Sequence, residues 1–179
     1  MMKAVKWFHM EEEFCVGLVI MNDGKEIFIT EEAVRFDAPF ITVCDSLREA
    51  VGRKWFSGED NFDDLCEEDQ ACFLKELTDI TAEYKGAKDQ ILLRRFMRQM
   101  DELFSQYAKD DCLDGYRMED NNIYINADGE HCDSSYMWPA LDGALYLYNK
   151  TYGTSIWMEE YAPKNGIIRY EFGSSHDED

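Results

Sequence analysis

The sequence predicts an α+β protein: an N-terminal β-hairpin, a central antiparallel helical hairpin and a C-terminal β-hairpin/helix/β-hairpin, in that order. Three observations predict it. Two β-rich runs flank an Asn-Asp-Gly turn near the N-terminus, apolar residues recur at helical spacing through the middle of the chain, and two more strand-like pairs bracket an aromatic helical pattern. With 179 residues, 45% of them hydrophobic, the chain can bury a sizeable core, and one domain is expected over residues 1–173. The last residues, SSHDED, read as a disordered acidic tail over 174–179.

The first hairpin pairs FCVGLVI at 14–20 with EIFIT at 26–30 across MNDGK. After FDAPFITVC, Asp45 and Ser46 offer helix caps, and Leu47, Val51 and Trp55 recur at i, i+4 and i+8. From Glu67 the apolar series Phe73, Leu77, Ile80 and Tyr84 predicts one helix; Leu93, Phe96, Met97, Met100, Phe104 and Tyr107 predict a second, with Lys85-Gly86 as the joint. On that reading Arg94, Arg95 and Arg98 face the helix 67–84. GYRM and NIYIN form the next strand pair, Trp138-Pro139 starts a helix that Gly153 ends, and SIWMEEY with GIIRYEF, joined by APKNG, closes the chain. The order hairpin then helix occurs twice, at 14–56 and 115–152, without residue-level identity between the copies.

Six cysteines at 15, 44, 66, 72, 112 and 132 include no CxxC pair, and MMKAVKWFHMEEEF lacks the apolar core of a secretion signal. Free thiols in a reducing cytoplasm are expected. No apolar run reaches the roughly 20 residues of a membrane span. Thirty-eight Asp plus Glu against eighteen Lys plus Arg leave a formal charge of −20. Small domains usually carry a magnitude of about 2–8, so direct binding to nucleic acid or anionic lipid is disfavoured.

Motifs for chemistry are sparse. His131-Cys132 lies near Asp128, Glu130 and Asp133, and Cys112 could join it, but the paired spacing of a zinc site is missing. DDCLDG at 110–115 has the outline of a calcium loop, yet Cys112 takes a ligand position and Asn121 stands where the bidentate Glu belongs. No metal or cofactor is expected. Of the histidines, His9 sits among the first residues and His176 in the tail, and His131 and Cys132, adjacent on a strand, would face opposite ways. With no Gly-rich phosphate loop and no Ser elbow, an enzyme with a carboxylate or Cys/His site is the minority reading. The aromatics Tyr136, Trp138, Tyr146, Tyr148 and Tyr152 read as core rather than a base-stacking platform, because residues 110–142 hold nine acids and Arg117 as the sole base.

Charge distribution is the informative feature. EDNFDDLCEED, residues 59–69, holds seven carboxylates in eleven positions and no base. A largely helical segment of that length spans about 16 Å, so its charges average one per roughly 2.4 Å. Duplex DNA carries one per about 1.7 Å of axis. Crowding like charges costs roughly 0.2–0.5 kcal/mol per i, i+4 pair, which a chain needing only solubility could avoid by spreading them. Glu59, Asp60, Asp63, Asp64, Glu67, Glu68 and Asp69, supported by Asp110, Asp111 and Asp114, are the expected contact surface for a basic protein partner, and Phe62, if exposed among them, would anchor it.

The size, the composition and the clusters EDNFDDLCEED and DDCLDGYRMED resemble the small acidic inhibitors that phages and mobile elements direct against host defence, anti-CRISPR and anti-restriction proteins, some of which mimic DNA. The resemblance implies a stoichiometric inhibitor that occupies the basic nucleic-acid-binding surface of a nuclease or its ribonucleoprotein complex. An immunity protein that neutralises a basic toxin nuclease would use the same electrostatics.

Overall fold

The computed structural model describes residues 5–33, 39–56, 60–109, 113, 115–127 and 134–175. The chain is α+β and packs as two compact units, 1–88 and 89–179, a finer division than a single domain over 1–173. In the first unit, strands β1 (Lys6–Met10), β2 (Phe14–Ile20), β3 (Glu26–Glu32) and β4 (Phe40–Cys44) form an antiparallel sheet in chain order. The expected hairpin is its centre. Gly24 N donates to Met21 O at 3.1 Å, with Gly24 at φ 88°, a conformation glycine adopts without a Cβ penalty.

Helix α1 (Leu47–Trp55) starts where the sequence indicates: the Ser46 side chain accepts from Glu49 N at 3.1 Å. A 3₁₀ turn (Phe62–Asp64) leads into helix α2 (Glu67–Lys109). Val51 of α1 and Phe73 and Ile80 of α2 are fully buried together, with Leu47, Trp55, Phe62, Leu65 and Leu77 packed around them.

The central helical hairpin is the correction to the sequence reading. Residues 67–109 are one helix of 43 residues that passes straight through Lys85-Gly86. A helix-interior glycine costs only about 1 kcal/mol against alanine, and the helix formers Ala82, Glu83, Lys85, Ala87 and Lys88 surround it. Apolar residues on both sides of the joint, Ile80, Ala87, Leu92 and Leu93, are buried with the helix unbroken. Arg94, Arg95 and Arg98 therefore lie on the same helix as residues 67–84 and cannot face them; Arg98 pairs with Glu102 at 4.0 Å.

The second unit is a four-stranded antiparallel sheet in the order β5 (Arg117–Glu119), β6 (Asn122–Asn126), β8 (Ile167–Ser174), β7 (Ile156–Lys164). Helix α3 (Ser134–Tyr152) carries the chain from β6 to the far edge strand β7. It begins four residues before Trp138, so Pro139 lies inside it, just beyond the first turn, where the missing N–H forfeits one backbone bond. Gly153, at φ 63°, ends it as expected. Within this unit Phe96 packs on Phe172 and Tyr148 at ring separations of 5.7 and 5.1 Å. Ser174, assigned from sequence to the tail, is the last residue of β8 and fully buried, its hydroxyl donating to Asp89 at 3.0 Å. The rest of the tail beyond Ser175 lies outside the described residues. Among the described residues no helix is long and apolar enough to cross a membrane.

Candidate functional site

The acidic stretch is a folded corner, not one helix. Asn61 Oδ1 accepts from Asp63 N at 3.0 Å while Asp64 Oδ2 accepts from Asn61 N at 3.0 Å, a reciprocal cap that fixes the 3₁₀ turn. Leu65 then turns to extended backbone before α2 begins at Glu67. Gln70 Nε2 ties the bend, donating to the carbonyls of Phe62 and Leu65 at 3.2 Å each. The uniform charge spacing expected of a continuous helix therefore does not hold.

Phe62 and Leu65 point the other way, into the core of the first unit. Phe62 is half-buried, with its ring 5.6 Å from that of Phe73 and the Arg48 guanidinium 5.0 Å above it. It anchors the corner to its own protein, which removes it as an exposed anchor for a partner. With the two apolar residues turned in, Asp60, Asp63, Asp64, Glu67, Glu68 and Asp69 are all exposed. Glu59, Asp110, Asp111 and Asp114 lie outside the described residues, as do Asp128, Glu130, His131, Cys132, Asp133 and Cys112.

The exposed acids are not equivalent. Asp64 is part of the cap, and Asp69 accepts from Cys66 Sγ at 3.3 Å. Among the described residues the carboxylates of Asp63, Glu67 and Glu68 have no hydrogen-bond or ion-pair partner within the chain. Glu67 and Glu68 occupy the first turn of α2, where the helix dipole offsets part of their mutual repulsion. Beside the corner, α1 and residues 60–63 border an open groove of about 590 Å³, with Arg48, Arg53, Phe56, Asp60 and Asp63 in its walls. Glu49 is a third acid in its lining, and Arg53 pairs with Glu32 at 3.6 Å.

A second charged cluster, which local sequence patterns do not reveal, joins β1, α1 and α2. Lys54 Nζ donates to Glu11 Oε2 at 2.7 Å and to Glu76 Oε1 at 2.5 Å, and Trp55 Nε1 donates to Glu76 Oε2 at 2.5 Å. His9 Nδ1 lies 3.1 Å from Glu83 Oε2 and His9 Nε2 lies 3.4 Å from Glu11 Oε1. The Lys54 hydrogen bond holds the Glu11 carboxyl below its ordinary range. Burial would lower Lys54, but bonds to Glu11 and Glu76 outweigh it and raise its pKa. His9, passed over in the sequence as an N-terminal residue, is the centre of this cluster.

Cys15, Cys44, Cys66 and Cys72 are free thiols, and burial pushes the Cys44 thiol up. The aromatics of α3 divide: Tyr148 is buried with its hydroxyl donating to Leu92 O at 3.0 Å, whereas Trp138 and Tyr146 are exposed. No protein-family model, no curated protein and no solved structure matches this chain.

Proposed function

We propose that the protein is an acidic inhibitor that binds the basic nucleic-acid-binding surface of a host-defence nuclease, of anti-CRISPR or anti-restriction type. The supporting observation is the corner itself: a capped turn and a helix N-terminus, anchored by Phe62 and Leu65, that hold Asp63, Glu67 and Glu68 exposed, with no partner for their carboxylates among the described residues. A solubility coat needs no such anchoring. Fixed carboxylates lose little freedom when lysines and arginines dock on them, which favours affinity, and their collective field speeds encounter at low salt.

The test is charge reversal of Asp63, Glu67 and Glu68 to Lys, chosen because all three are exposed and their carboxylates make no hydrogen bond or ion pair among the described residues, the helix dipole at Glu67 and Glu68 being their one contribution to the fold. Each reversal adds two charges, so the formal charge moves from −20 to about −14, and exposed changes usually cost within about 0.5 kcal/mol each. The variant should fold as the parent does but fail to capture or inhibit the nuclease in pull-downs from a host expressing candidate targets. DNA or guide RNA should compete with the parent for the target. Capture undiminished in the folded triple variant would make the corner a solvated face and reject this function.

A further inference from the structure

We infer that His9, Glu11 and Glu76 form a binding site for a divalent transition-metal ion of the zinc class, independent of the inhibitor reading. The three ligating atoms lie within 4.8 Å of one another. What points to a cation is the hydrogen bonding of His9. Nδ1 stands 3.1 Å from Glu83 Oε2, and a carboxylate only accepts, so Nδ1 is the donor there. Nε2, the other ring nitrogen, is buried without a hydrogen bond and lies 3.4 Å from Glu11 Oε1. A buried imidazole nitrogen and a carboxylate oxygen that close, with no hydrogen bond joining them, form a pair that a divalent cation can bridge.

The surroundings suit a cation: three carboxylates, Glu11, Glu76 and Glu83, stand around His9 against the single ammonium of Lys54. A carboxylate on the far nitrogen of a ligating histidine fixes its tautomer and raises its basicity, the role Glu83 has here. Trp55 Nε1 and Lys54 hold Glu76 in place. Zinc at about 2.0–2.2 Å from each ligand needs them somewhat closer than they stand, and Glu11, the most exposed of the three ligands, supplies the movement. One nitrogen and two oxygens leave a fourth position for water. The bound ion would tie β1 to α2.

The experiment uses the full chain, stripped with chelator and kept reduced, titrated with Zn²⁺ and separately with Co²⁺. One ion should bind per chain, with a rise in thermal midpoint and a cobalt spectrum free of thiolate charge transfer. His9→Gln should weaken binding at least about tenfold, and Glu83→Gln, a positioning change, by about 10–100-fold. Glu11→Gln, at an exposed ligand, should weaken it as well, with circular dichroism unchanged. Absence of saturable one-to-one binding, affinity unaltered in folded His9→Gln and Glu11→Gln, or a thiolate band marking a cysteine site would each overturn the assignment.

Discussion

Asn149 closes the corner between α3 and β7 with its side-chain amide. Its Nδ2 donates to Ile156 O at 2.7 Å, and its Oδ1 accepts from Ile156 N at 3.1 Å and from Thr154 Oγ1 at 2.8 Å. The amide thus pairs with both backbone groups of a buried residue, as a neighbouring strand would. Replacement by alanine removes all three bonds and strands two buried backbone groups, so Asn149→Ala should cost about 2–3 kcal/mol in denaturant unfolding. A loss below about 0.5 kcal/mol would mean that water substitutes for the amide. Glycine opposite tryptophan recurs in both sheets, Trp7 across from Gly17 and Trp157 across from Gly173, each ring covering the bare backbone of the inner strand.

At the scale of the element, α2 decides how the middle of the chain is built. Because Gly86 is helical and not a joint, Gly86→Ala should stabilise the protein by about 1 kcal/mol through helix propensity. Were 85–86 a turn between two helices, the same substitution would be neutral or harmful, and a lowered thermal midpoint would show it. The hairpins follow their local chemistry more closely. Lys164 pairs with Ile167 across Asn165-Gly166, both at positive φ (55° and 74°), as a two-residue turn in a twisted ribbon demands.

For the whole molecule, a formal charge of −20 implies that self-repulsion opposes compactness. Raising sodium chloride from 0.15 M to 1 M shortens the Debye length from about 8 Å to about 3 Å. The thermal midpoint should therefore rise with salt, and rise less in the Asp63, Glu67, Glu68 triple lysine variant. A midpoint that is flat or falls over that range would show that internal ion pairs such as those of Lys54 dominate over net charge.

The hairpin strands, the Ser46 cap, the Gly153 stop and the glycine turns were legible in the sequence because each depends on residues within a few positions of one another, whereas the flanking strands β1 and β4, which widen the first hairpin to four strands, were not. The carboxylates of 60–69 were legible for the same reason: charge is countable along the chain. Their presentation was not. Only packing shows that Phe62 and Leu65 turn inward, that the stretch bends instead of running as one helix, and that Asp64 is committed to a cap while Asp63, Glu67 and Glu68 are not. The continuity of α2 escaped the sequence because one glycine costs little against the burial that flanks it on both sides. His9 and Glu83 stand 74 positions apart, joined by the docking of β1 against α2. No local pattern encodes that meeting, because it is a product of where the core forces two elements to lie.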